Sequence, residues 1–295
     1  MHPVPLKIPS SHDLSYVDLV ERAPRFVWKR FGDGCCLETL ALFPKGHDLG
    51  RGAAAVAFFH GGMWRVANSA EFFPWALQLA ARGVVCFIPS YRTRAEFEVS
   101  TQEILQDASD FWGWMLGNAQ RLGLDEQRLC LAGCDAGGLM ALHAGMPPIR
   151  RRRLRDLFRG RASLPPLPAC IALFRGVVDF FAPEISLLEK DIEDKETLEE
   201  ANPPARLGRH LPALFSAHGM LDPLLDYRRS EWFAEEWAAD GNKAQCISCP
   251  HGDHAFLYFN VNPVAFEQVL FSWEAFMVEL GVWHPSQAEG ELLLS

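Results

Sequence analysis

"LCLAGCDAGGLMALHAG", residues 129–145, decides the fold of this chain. An apolar run ends in a glycine-flanked turn, and a helix-forming run follows at once. Gly133 and Gly137 provide the close backbone approach that a strand-to-helix turn of this kind requires. The residue at its apex is Asp135, whose side chain is then presented at the top of a sheet.

Outward from that turn, short apolar runs alternate with longer stretches of helical period. This is the pattern of βα units around a mostly parallel sheet. "RFVWKR" (25–30) and "CLETLALFP" (36–44) read as an opening antiparallel pair around "FGDG". "AAAVAFFH" (53–60) and "GVVCFIPS" (83–90) are buried strands separated by a helix over 69–82. A long helix is expected over about 100–122, with Ile104, Leu105, Ala108, Phe111, Trp112 and Met115 on its core face. "ACIALFRGVV" (169–178), "PALFSAHG" (212–219) and "AQCISCP" (244–250) complete the strands, and 263–280 forms a closing amphipathic helix. Between them, 189–200 reads as the solvated face of an acidic helix. "PPIRRRRLRDLFRGRASLPPLP" (147–168) breaks the rhythm and reads as a proline-bounded basic insertion, a lid or a surface loop; its Arg150–Arg153 run is a solvated face or a surface for an acidic partner. The expected organisation is an N-terminal extension over 1–24, one domain over 25–281 and a tail over 282–295.

The bulk composition narrows the functional class. The chain has 295 residues, 49% apolar and 22% charged, with a net charge of −9. An acidic chain does not neutralise phosphate backbones broadly, so no nucleic-acid partner is expected. No run of about 18 apolar residues is present, so no membrane span is expected, and residues 1–14 carry no apolar signal-peptide core. Cys86, Cys130 and Cys170 lie inside apolar runs as small buried hydrophobes. Cys246 and Cys249 form a lone CxxC without a second ligand pair, so no metal is expected, and a reducing cytoplasm is the expected compartment. No cofactor motif is present.

Three stretches carry chemistry together. "FFHGGMW" (58–64) follows a buried strand, and its glycines let backbone N–H groups converge on one point, as an oxyanion hole requires. "LAGCDAGG" (131–138) is the turn described above. "AHGMLDPLLD" (217–226) and "CPHGDHAFLYF" (249–259) place an acid and a histidine on loops after late strands, in the order apex residue, acid, histidine. On these residues, together with Ser90-Tyr91-Arg92, the chain resembles the α/β-hydrolase superfamily, within its HGG-bearing acetyl-esterase, hormone-sensitive-lipase-like and kynurenine-formamidase-like branch. The resemblance runs from about residue 25 to residue 281. It implies an α/β-hydrolase fold and a hydrolase of the carboxylic-ester type acting on a small acyl or related electrophilic molecule. It assigns Asp222 as the triad acid, His254 as the base, Gly61, Gly62 and Ala136 as oxyanion donors, and Met63 and Trp64 as substrate-binding residues. Asp226 and His251 are the neighbouring alternatives, His60 is a brace for the oxyanion loop, and Cys134, whose side chain should point away from the site in this turn, is not expected to substitute as nucleophile.

The departure is Asp135, where that family carries serine. A carboxylate of reference pKa about 3.9 is already ionised and nucleophilic. On an ester, however, it is a far weaker base than the alkoxide it must expel, by roughly ten pKa units or more, so the adduct collapses backward. Three readings follow. The chain is an esterase-like hydrolase using Asp135. Or it is a catalytically silent hydrolase fold serving a protein partner, its carboxylate taking up the N–H groups meant for a transition state. Or it is an Asp-nucleophile hydrolase of the epoxide or haloalkane kind, or a variant of a serine esterase. Epoxide chemistry calls for paired cap tyrosines, and none of the four tyrosines lies in 147–168.

Overall fold

The computed structural model describes residues 20–147, 165–182 and 195–284. Most of the basic insertion, including Arg150–Arg153, the first nineteen residues, the tail from 285 and the acidic stretch up to 194 lie outside them. Eight strands form one sheet: β1 (Arg25–Arg30), β2 (Cys36–Leu42), β3 (Ala53–Phe59), β4 (Val85–Pro89), β5 (Leu124–Asp135), β6 (Cys170–Gly176), β7 (Ala213–Gly219) and β8 (Ala244–Cys249). Their order is β1-β2-β4-β3-β5-β6-β7-β8. β2 runs antiparallel to both β1 and β4, and every pairing from β4 to β8 is parallel. The mostly parallel sheet expected from the apolar runs is therefore present.

The runs are continuous rather than alternating because both faces are covered. Side chains alternate along each strand. Ala55, Ala57, Val85, Phe87, Leu129 and Leu131 face one core, which includes Phe111 and Trp112 of α2 (Thr101–Asn118) and Leu139 and Met140 of α3 (Ala136–Gly145). Ala54, Val56, Phe58, Cys86, Cys130 and Cys170 face a second core, filled by α1 (Phe73–Ala81) and α6 (Pro263–Glu279). Cys86, Cys130 and Cys170 are free buried thiols. Cys246 and Cys249 lie three residues apart on β8 and pack on opposite cores, so they cannot converge on one ion.

Helix α2 starts where its sequence dictates. Ser100 caps it, accepting from the Glu103 N–H, while the Glu103 carboxylate accepts from the Ser100 N–H at 3.0 Å. Its six expected core residues are all buried, and so is Asp107. That carboxylate accepts two guanidinium bonds from Arg92, at 2.8 and 2.9 Å, and lies 2.6 Å from Lys29 Nζ. The Tyr91-Arg92 pair after β4 is thereby pinned to α2. One helix, α5 (Tyr227–Ala239), is absent from the sequence reading. Only Ser230, Phe233, Ala234 and Trp237 of it are buried, a narrow stripe beneath charged residues. Asp226 caps it, and the short α4 (Lys195–Ala201) precedes β7.

Far from the top of the sheet, Glu274 of α6 is buried with its carboxylate 3.4 Å from Arg82. Burial pushes its pKa from 4.5 to about 7, with Arg82 opposing. The folded state thus binds this proton more tightly than the unfolded chain. The stability it contributes is complete below pH 4.5 and is lost as pH rises through about 7, amounting to up to about 3 kcal/mol. Urea midpoints should fall across that window in the parent protein and fall less in Glu274→Gln; equal slopes would refute the assignment.

Candidate active site

The apex of the 129–145 turn is strained. Asp135 has φ 47° and ψ −125°, in a region that disfavours a side chain. The surrounding packing imposes it: a Cβ at Gly133 would overlap Gly137 O, and one at Gly137 would overlap Phe59 O. The Val177 N–H donates to Asp135 O at 2.9 Å and closes the turn against β6. The Asp135 side chain is nearly buried and rests on Gly61, where a Cβ would overlap its Oδ2.

Asp222 and His254 come to the same place from loops after β7 and β8. His254 Nδ1 lies 2.8 Å from Asp222 Oδ2, and Nε2 lies 3.5 Å from Asp135 Oδ1. The Asp222 carboxylate is fully buried. Burial opposes its ionisation, yet bonds from His218, His254 and the Leu224 and Leu225 N–H groups hold its pKa far below the usual carboxylate range. The neighbouring candidates are elsewhere: Asp226 is the half-exposed cap of α5, and His251 is exposed on its turn.

The HGG turn after β3 is braced from two sides. His60 is buried and stacks on Tyr91 at 4.2 Å, and the Tyr91 hydroxyl donates to His60 O at 2.8 Å. Burial lowers the His60 pKa to about 4, so the ring is neutral at ordinary pH. The Gly61 N–H donates to Glu71 Oε1 at 2.5 Å. Gly62 adopts φ +94°, where a Cβ would meet Val66 O at 2.5 Å, and Ala136 opens α3 beside Asp135. Met63 is half-buried with φ 52°; Trp64 is wholly buried, packed against Phe180 rather than facing outward.

Three residues of this site are missing from the sequence reading: Arg175, Glu71 and Tyr258. Arg175, next to last in β6, has φ 44°, and its side chain is 2% exposed. Its Nε lies 3.0 Å from Asp135 Oδ1, while Nη2 lies 3.2 Å from Glu71 Oε2 and 3.0 Å from the Tyr258 hydroxyl. The guanidinium also sits 4.8 Å over the Tyr258 ring. Burial disfavours its charge, but Cys134, Asp135, Tyr258 and Glu71 outweigh that and raise its pKa. Burial raises Glu71 against the pull of Arg175, pushes Tyr258 up to about 12, and raises Cys134 well above the ordinary thiol range. The Cys134 thiol donates to Glu71 Oε1 at 2.8 Å, which leaves it a protonated, buried group rather than a nucleophile. Glu71, Cys134 and Asp135 offer three atoms at metal-ligand spacing, and the Arg175 guanidinium already lies against all three. Arg175 is the one signal the sequence offered: a charged residue at the end of an otherwise apolar strand.

Comparison with known proteins places this geometry in context. A family described by the α/β hydrolase fold matches residues 56–258, more than half of the chain. An ethyl acetate hydrolase of Pseudomonas putida is 32% identical over 111 residues, covering 37% of this chain and 34% of that protein. Esterase LipC of Mycobacterium tuberculosis is 26% identical over 220 residues, covering 69% of this chain and 53% of its own. The chain therefore spans between a third and about half of these curated relatives. The apo form of esterase 2 of Thermogutta terrifontis superposes with a TM-score of 0.79 at 23% identity, covering 90% of this chain and 98% of that one. That likeness concerns the fold.

Removing Arg175 tests how the site is held. In Arg175→Met, Asp135 and Glu71 lose a buried counter-charge, and urea denaturation should show a loss of about 3–5 kcal/mol. Adding Glu71→Gln should restore part of it. A loss below about 1 kcal/mol, the worth of an exposed pair, would show that the guanidinium contributes little.

Proposed function

As the chain belongs to the α/β-hydrolase-fold family, we propose that its elbow site is an esterase-type hydrolase site for small acyl compounds, with Asp135 attacking, His254 moving the proton and Asp222 orienting His254. The observation that carries this reading is the bracketed imidazole: Nδ1 at 2.8 Å from Asp222 and Nε2 at 3.5 Å from Asp135. The names of the two curated relatives support ester hydrolysis, and that of one, an ethyl acetate hydrolase, supports a small acyl group.

Asp135 Oδ attacks the acyl carbon, and the carbonyl oxygen takes charge beneath the Gly62 and Ala136 N–H groups. The Gly61 N–H is held by Glu71 and contributes less than the resemblance implies. The carbon–oxygen bond to the leaving group breaks, His254, entering the cycle as the imidazolium, delivers its Nε2 proton to that oxygen, and a mixed anhydride remains on Asp135. His254 then takes a proton from water, whose oxygen opens the anhydride and restores the carboxylate. The first step is uphill for alkoxide departure and far less so for a phenol, whose pKa of about 10 is closer to that of a carboxylic acid. The site therefore favours aryl esters over alkyl esters. Met63, half-buried in the turn beside Gly62, is the residue assigned to the acyl chain in this reading. No helix among the described residues is long and apolar enough to cross a membrane, and the eight free thiols suit a reducing cytoplasm.

One observation favours a second reading, a catalytically silent site kept for a protein partner. Asp135 is paired with Arg175 at 3.0 Å and packed on Gly61, so its carboxylate is committed within the fold. Epoxide or haloalkane chemistry receives no such support, since the Tyr91 hydroxyl faces His60 and that of Tyr258 faces Arg175.

Side-by-side assays of the parent protein and Asp135→Ser on phenyl and ethyl esters of acetate and butyrate separate these readings. The parent should hydrolyse phenyl esters at least about a hundredfold faster than ethyl esters, with an acyl adduct on Asp135 by mass spectrometry. Asp135→Ser should narrow that ratio. Activity only in the serine form would establish the silent reading. Inactivity of both on all four esters would overturn the esterase-type site.

A further inference from the structure

Asp222 accepts four donors. The Leu224 and Leu225 N–H groups share Oδ1 at 2.8 and 3.1 Å. Oδ2 is shared by two imidazoles, His254 Nδ1 at 2.8 Å and His218 Nε2 at 3.2 Å. The second imidazole belongs to neither the attacking group nor the oxyanion turn. His218 is buried near the end of β7, four residues before Asp222. Its other nitrogen, Nδ1, lies 2.7 Å from the hydroxyl of Ser230, itself buried on α5.

Proton accounting fixes the state of this ring. An ionised carboxylate only accepts, so the His218 nitrogen facing it carries the proton. In the Nε2–H tautomer, Nδ1 then accepts from the Ser230 hydroxyl. Asp222 thus sets the tautomer, the Ser230 hydroxyl turns to match it, and β7 and α5 together set the ring plane. A carboxylate oxygen shared between two N–H donors gives less of its charge to either. We infer that His218 is a positioning residue of this site: it locks Asp222 in one orientation and, by taking part of Oδ2, weakens the hold of that carboxylate on the His254 proton. The inference rests on His254 being the proton carrier proposed above.

Other groups that face these rings are few among the described residues. Asp135 and its partner Arg175 stand on the far side of His254. Beside His218, the paired β8 residue Ser248 donates to Glu231 of α5 at 2.5 Å. Loss of the His218 donor leaves Asp222 more basic, and His254 then holds its proton more tightly.

Nitrogen-15 NMR of histidine-labelled protein tests this without reference to turnover. The parent protein should show His218 with its proton on Nε2, the nitrogen that faces Asp222, and downfield N–H signals from His218 and His254. His218→Phe should raise the His254 titration midpoint by about 0.5–1 pH unit. His218→Gln, whose amide can donate to Asp222 and accept from Ser230, should return it to within about 0.3 unit of the parent. An unchanged midpoint in folded His218→Phe would reduce His218 to a packing residue and overturn the inference. So would an Nδ1–H tautomer in the parent protein, a measurement that stands even if neither variant folds. Absent ester hydrolysis with these NMR results intact would sink the proposed function and leave only the sharing of Asp222 between the two rings established.

Discussion

The site depends on one buried cation. The Arg175 guanidinium joins Asp135 of the elbow, Glu71 behind the HGG turn and Tyr258 of the histidine loop. A lone guanidinium taken out of water costs several kcal/mol, and two buried carboxylates without it would repel each other. Together the charges offset these costs, and three loops with no sequence neighbourhood are fixed to the end of β6. The left-handed backbone at Arg175 belongs to the same constraint, since it turns the side chain back toward the elbow.

That pair also shapes the chemistry. A carboxylate held against a guanidinium on one side and Gly61 on the other is a weaker nucleophile than a free one, and it faces His254 at 3.5 Å. The same arrangement explains why Asp135 is stable there. In a serine-bearing elbow the cation would lack that partner; here the two are mutually compensated.

A second, separate network holds the HGG turn. Lys29, Arg92 and buried Asp107 lock the chain after β4 to α2, and Tyr91 beside it stacks on His60 and accepts the load of the HGG turn through His60 O. The Tyr91-Arg92 dipeptide, legible as part of a family pattern, is thus a structural clamp whose effect reaches the glycines after the adjacent strand β3. The lone CxxC shows the opposite outcome, a motif dissolved by strand geometry.

The sequence by itself determined the strands, because runs such as "AAAVAFF" and "CIALFRG" must be buried on both faces, and it determined the elbow, because only glycines fit where backbones touch. It also carried Asp135, Asp222 and His254 in chain order. It left α5 unread, since a stripe of four buried residues under charged neighbours gives a faint period, although Asp226 and the spacing of Ser230, Phe233 and Trp237 mark it. Only the tertiary structure decided that Arg175, Glu71 and Tyr258 share the elbow's charge and that His218 shares Asp222. Those contacts join residues that local period and propensity do not relate: they are set by where the ends of β6, β7 and β8 meet, and by the cost of leaving any one of those charges buried alone.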